Sequence, residues 1–121
     1  MDDEGNAHIA YYDAGAGSLK YANDIGGWNN VTVDNSTSQV GRSPSLAVDA
    51  DGYVHISYFD NTGNKILKYA TNRGGDWVVI PIDSIGNVGS YNAIGVGVNG
   101  SVFIAYYNSQ TMNMRFASIV G

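Results

Sequence analysis

The chain has 121 residues, a formal net charge of −5 and no cysteine. That is one domain's worth of sequence, and it excludes a disulfide framework, a thiolate metal site and a cysteine nucleophile. The acidic balance argues against a nucleic-acid partner, which needs a concentrated basic surface, and no run approaches the roughly 18 apolar residues of a membrane span.

Sixteen glycines, nine tyrosines and a single glutamate suit short strands joined by tight turns, and no stretch keeps a 3.6-residue apolar period. Met1 is followed at once by Asp2, Asp3 and Glu4, the wrong charge for the start of a secretory signal. Either the natural protein has no such signal, or this is a mature or excised piece placed behind a new Met. Because the sequence opens in mid-repeat, the excised piece is the favoured expectation. The repeat is carried by His8-Ile9-Ala10-Tyr11-Tyr12-Asp13, with copies at His55-Ile56-Ser57-Tyr58-Phe59-Asp60 and Phe103-Ile104-Ala105-Tyr106-Tyr107-Asn108. The spacings, 47 and 48 residues, signal units that must stack on one another to bury their apolar faces.

In chain order, about 1–40 reads as a partial unit holding its second, third and fourth strands between about His8 and Val33. The complete unit, about 41–87, reads as four strands. Ser45 to Val48 is closed by the turn Asp49-Ala50-Asp51-Gly52, and Val54 to Phe59 by Asp60 to Asn64. Ile66 to Thr71 is closed by Asn72-Arg73-Gly74-Gly75, and Trp77 to Ile82 completes the set. The second strand is apolar on both sides, with Ile56 and Tyr58 opposite Phe59 and the small Ser57, as a strand sandwiched between neighbouring sheets requires. Pro44 and Pro81 fall in the first and fourth strands, the two edges, where a missing N–H breaks no ladder. The last stretch, about 88–121, supplies first, second and third strands between about Ala93 and Ser118. Four antiparallel strands in under fifty residues is the unit of a β-propeller blade. The expected fold is therefore all-β, a partial ring completed by oligomerisation or by a longer parent chain.

The turn Ala70-Thr71-Asn72-Arg73-Gly74-Gly75-Asp76-Trp77 resembles a degenerate Asp-box, the Ser-x-Asp-x-Gly-x-Thr-Trp motif of sialidase-type BNR propellers. Gly74 and Trp77 match, Asn72 stands where the motif has Asp, and Ala70 and Asp76 depart from it. Ala22-Asn23-Asp24-Ile25-Gly26-Gly27-Trp28 is a copy shorter by one residue. The resemblance implies a BNR-like propeller, not sialidase activity, because such folds also serve binding and scaffolding. Sialidases similar to this repeat use an arginine triad and a Tyr–Glu nucleophile pair. Here Lys20, Lys68 and Arg115 recur at one place in three repeats, so they are read as stems over apolar surface with charged heads in water. Of the arginines, only Arg42 and Arg73 then stand at unrelated positions, and the lone Glu4 lies in a terminal segment. No catalytic residue is assigned.

His8 and His55 invite a metal or acid–base role, but their third equivalent is Phe103, so the position asks for a flat ring in a core. Asp49-Ala50-Asp51-Gly52 resembles the start of a calcium loop yet lacks its later ligands, and a hairpin turn accounts for it better. No metal or cofactor is expected. The aromatic pairs Tyr11-Tyr12, Tyr58-Phe59 and Tyr106-Tyr107 point to opposite faces of their strands, so no pair can make one sugar platform; packing between units is expected.

In propellers the loops after second strands and between successive blades share one face. Here these are the loops Asp13 to Ser18, Asp60 to Lys65 and Asn108 to Asn113, with Asn35 to Ser43 and Ser84 to Asn92. Asp13, Asp60 and Asn108 should ring that face, with turn-capping as their simpler role, and Arg42 and Tyr91 are the divergent residues there. The expected function is a non-enzymatic binding or scaffold module that self-assembles head to tail as a dimer or trimer, with a glycan as the natural ligand. The alternatives are part of a sialidase-like glycoside hydrolase whose catalytic residues lie elsewhere, or a fragment with no function beyond folding. The lysine-poor, acidic composition is compatible with a secreted or cell-surface parent.

Overall fold

A computed structural model of the chain describes residues 4–36, 39–61, 65–84 and 88–119. Its strands are β1 His8–Asp13, β2 Ser18–Asn23, β3 Asn29–Asp34, β4 Val40–Val48, β5 Val54–Asp60, β6 Ile66–Thr71, β7 Val78–Asp83, β8 Val88–Val96, β9 Val102–Asn108 and β10 Asn113–Ile119. They form three open antiparallel sheets, β1-β2-β3, β4-β5-β6-β7 and β8-β9-β10. The protein is all-β, and the three-four-three division follows the repeat.

Side chains alternate across each strand, and the middle sheet buries both of its faces. On one face Val54, Ile56, Tyr58 and Ala70 pack against Leu19 and Tyr21 of the first sheet. On the other, Leu67 and Tyr69 pack against Val102, Ile104 and Tyr106 of the third. The two cores use the same repeat positions. The Leu19–Tyr21 pair of one sheet meets the Ile56–Tyr58 pair of the next, and Leu67–Tyr69 then meets Ile104–Tyr106. β5 is buried along its whole length, as a strand apolar on both sides demands. Trp77 extends the first core, its ring 5.4 Å from that of Tyr21.

Each core is bolted by a polar contact that also repeats. Tyr58 donates its hydroxyl proton to Asp34 Oδ2 at 2.7 Å, and Tyr106 does the same to Asp83 Oδ2 at 2.8 Å. In both cases the aspartate ends the last strand of the preceding sheet. The basic residue directly opposite each tyrosine joins in: Lys68 Nζ lies 3.7 Å from Asp34 and 3.2 Å from Asp60, and Arg115 lies 2.9 Å from Asp83. This corrects the expectation that these cationic heads stand in water. A buried carboxylate needs a donor and a countercharge: at Asp34 the tyrosine donates and Lys68 lies within ion-pair reach, and at Asp83 the tyrosine and the arginine both donate.

The turns follow their residue types. Asp49 Oδ1 accepts the N–H groups of Asp51 and Tyr53 at 2.9 and 3.0 Å while Gly52 takes a φ of +88°, which makes a capped hairpin of the would-be calcium loop. In the turn after β6, Asn72 Oδ1 accepts the N–H of Val54 at 2.8 Å, and in the turn after β2, Asp24 Oδ1 accepts that of Ala7 at 2.7 Å. That position therefore ties its turn to the neighbouring second strand. Pro44 and Pro81 lie in the edge strands β4 and β7, as expected. Gly41, at φ +101°, is obligatory for space as well as conformation: a Cβ there would come within 2.5 Å of the Leu19 backbone.

Burial and the Asp34 hydrogen bond push the Tyr58 phenol far above its ordinary value of 10.0, and burial with the Asp83 bond pushes Tyr106 up to about 12. A raised phenol favours the folded state fully below the unfolded value and loses that contribution as pH climbs through the folded one. The chain should therefore hold its stability up to about pH 10 and lose it steeply above, as read by urea midpoints across the alkaline range. Tyr58→Phe should cost about 1–3 kcal/mol at neutral pH, by stripping Asp34 of a donor, and should flatten part of the alkaline slope.

Candidate functional site

Of the five loop-face residues singled out in the sequence, three support the fold. Asp13 Oδ1 caps its turn through the N–H groups of Gly15 and Ala16, at 3.0 and 3.2 Å, and Oδ2 meets Lys20 Nζ at 3.1 Å. The Lys20 hydrogen bond, with that of Ala16, holds the Asp13 carboxyl below its ordinary range. Asn108 caps in the same way, with Oδ1 accepting from Gln110 and Thr111 at 3.0 and 3.3 Å. Asp60 is buried against Lys68; the turn that follows it, 62–64, lies outside the described residues. Asp60 and Asn108 are enclosed, and their oxygens are engaged by ion pairing and turn-capping respectively.

Arg42 and Tyr91 are brought together. The sequence reading has both in connecting loops, but the structure puts them inside β4 and β8, which begin at Val40 and Val88 rather than near Ser45 and Ala93. The strands reach further because bulges add residues without ending the ladder: β4 shifts register on both sides of Arg42, and β8 shifts between Val88 and Asn92. Ser43, at φ +50°, marks the first distortion. Together with Tyr12, Ser43 and Phe59, these two residues line an open cleft of about 450 Å³. The Arg42 guanidinium lies 5.4 Å above the Tyr12 ring, and Tyr91 meets Tyr107 edge-on at 6.3 Å.

Tyr12, Phe59 and Tyr107 are read from the sequence as packing between units; in the structure Tyr12 and Phe59 line the cleft and Tyr107 adjoins it through Tyr91. Each is the second member of a repeated aromatic pair, and the first members, Tyr58 and Tyr106, go into the sheet-to-sheet cores. Within a strand one pair cannot make a platform, but equivalent members of successive units gather on one side of the stack. The signal was present in the repeat and needed the sheets side by side to be read.

The histidines behave as flat core rings. His55 Nδ1 is 2.6 Å from the Tyr69 hydroxyl, Nε2 is 2.9 Å from Asp49 Oδ2, and its ring stacks on Tyr69 at 5.9 Å. Burial pushes the Asp49 carboxyl up, but hydrogen bonds from His55 and from the Tyr53 and Asp51 N–H groups outweigh it and hold that group below its ordinary value. His8 stacks on Tyr21 at the same 5.9 Å, and in the third repeat the pair becomes Phe103 on Phe116, again at 5.9 Å. Gly97 stands there in place of Asp49, so all the polar partners are replaced together. Among the described residues no group of three His, Asp or Glu side chains is arranged to hold a metal ion.

His55→Phe alone should cost about 1–3 kcal/mol, because Asp49 Oδ2 and the Tyr69 hydroxyl lose a buried partner. Tyr69→Phe should then cost less in that background than in the wild type, and a double-mutant cycle by urea denaturation reads the coupling. Compared with known proteins, the chain matches no family model and no curated sequence.

Proposed function

We propose that this chain is a non-enzymatic module of BNR-like propeller blades that stacks head to tail with copies of itself and offers a glycan-binding cleft on its loop face. The observation that carries the assembly is the pair of exposed end faces. Ile9 on the outer face of the first sheet is 46% exposed, whereas its repeat equivalent Ile56 is fully buried. At the other end Met114 and Phe116 are 66% and 65% exposed, where Leu67 and Tyr69 are 0% and 4%. The outer face of the third sheet thus repeats the kind of surface that the outer face of the first is built to receive. A joint between copies would reproduce the apolar part of both internal joints, and each large side chain covered would contribute about 1.5–3 kcal/mol. The contact is heterologous, so it builds a ring of two or three copies if the rotation closes.

Sedimentation equilibrium over a wide concentration range tests this. A dimer or trimer that Phe116→Glu converts to monomer is the expected result; a folded monomer at every concentration overturns the assembly.

The glycan reading rests on the cleft. Tyr91 offers an exposed aromatic face for the apolar side of a sugar ring in a cleft walled by Tyr12 and Phe59, while Arg42 and Ser43 offer hydrogen-bond donors to hydroxyls. On a glycan array, Tyr91→Ala or Arg42→Ala should weaken the signal by about tenfold or more. An array with no bound glycan, or binding that is indifferent to both substitutions, removes the glycan from the reading.

A further inference from the structure

The bolt between sheets occurs twice in full and once in half. Tyr58 and Lys68 are cross-strand partners and receive Asp34; Tyr106 and Arg115 are cross-strand partners and receive Asp83. Tyr11 and Lys20 are cross-strand partners in the same register, so both side chains project from the outer face of the first sheet. Among the described residues, no sheet lies on that face. Ile9, at the position of buried Ile56, is exposed there, and so is Trp28, at the position from which Trp77 reaches across to the preceding sheet's Tyr21.

The two filled bolts state what the half-built one would take. In each, the carboxylate closes an outer strand and follows a branched aliphatic residue, Val33 before Asp34 and Ile82 before Asp83, and both aliphatics pack into the adjoining core. We propose that Tyr11 and Lys20 form a carboxylate clamp for the end of a β-strand supplied in trans, read as a branched aliphatic residue followed by aspartate. Tyr11 donates its hydroxyl proton to the incoming carboxylate, Lys20 supplies the charge, and Ile9 takes the aliphatic side chain.

Lys20 already meets Asp13 at 3.1 Å, and that does not close the clamp. Lys68 meets Asp60, the equivalent of Asp13, at 3.2 Å and still holds Asp34 at 3.7 Å, while the tyrosine makes the short bond. The first repeat copies this set residue for residue. A strand along the edge of β10 would stand where β7 stands in the middle sheet. At a joint between copies, one added strand would therefore pair with the third sheet of one copy and deliver its aspartate to Tyr11 and Lys20 of the next. The inference rests on the outer face of the first sheet being a joint, and not on a second copy being what covers it.

The probe is the eight-residue segment Trp77 to Ser84, made as a peptide with blocked ends so that the aspartate carries its only carboxylate. Titrated into the isotope-labelled full chain, it should give saturable amide shifts on β1 and β2 around Tyr11 and Lys20. The peptide with Asp83→Asn should bind at least about tenfold more weakly, as should the wild-type peptide to chains carrying Tyr11→Phe or Lys20→Met. The altered peptide leaves the protein untouched, so a folding defect cannot imitate its effect. Absence of saturable shifts, or affinity indifferent to the amide, overturns the clamp. Sedimentation of the chain alone separates this from the assembly reading. A monomer that binds the peptide keeps the clamp and removes self-association; an oligomer that ignores the peptide does the reverse.

Discussion

Tyr58 and Asp34 belong to different sheets, and the hydrogen bond between them closes a contact that is otherwise apolar and non-directional. Burial of Ile56, Tyr58, Leu19 and Tyr21 drives the first sheet onto the second, but burial alone would tolerate sliding. A carboxylate that must meet one phenol and one ammonium fixes the offset, because any other register leaves a charge unpaired in the interior. The same device, with Tyr106, Asp83 and Arg115, sets the third sheet on the second. Stack geometry, the position of the cleft and the character of the two ends all follow from it.

A repeat that stacks this way has two unlike faces per sheet, and a short array must leave one of each kind uncovered. Here those are the Ile9–Tyr11–Lys20 face and the Phe103–Met114–Phe116 face. The substitutions in the third repeat are informative on this point. Where His55 shares one hydrogen bond with Tyr69 and another with Asp49 under cover, Phe103 and Phe116 stack without any polar side-chain atom, and Gly97 removes the carboxylate. The ring geometry is kept while the hydrogen-bonding chemistry is dropped, which separates the architectural requirement, two stacked flat rings, from the particular polar means of meeting it.

The cleft draws on the same stacking. Tyr12 and Phe59 come from different sheets, and Arg42 and Tyr91 stand at bulges in the two strands that open the second and third sheets. A bulge turns side chains away from the regular pleat, so residues that an even alternation would send elsewhere converge on the cleft. The site is thus a product of where the ladders are imperfect, set on sheets whose regular parts are rigidly bolted.

The sequence by itself determined the number of strands, their grouping as three, four and three, the turns and the two apolar faces of β5. These depend on local chemistry and on the repeat: Asp and Gly at the hairpins, prolines at the edges, and aromatic pairs at a constant spacing. It also determined that His55 is a packing ring, since Phe103 could replace it. Only the tertiary structure decided what lies across the gap between sheets. That Lys68 and Arg115 spend their charges on aspartates of the neighbouring sheet, that Arg42 and Tyr91 sit within strands rather than in loops, and that the second aromatic of each pair gathers with its equivalents all depend on side chains some fifty residues apart or less meeting through space. Spacing along one chain reports which face a residue is on; the partner it meets there is set by the offset between sheets, and that offset is fixed only when the sheets close on one another.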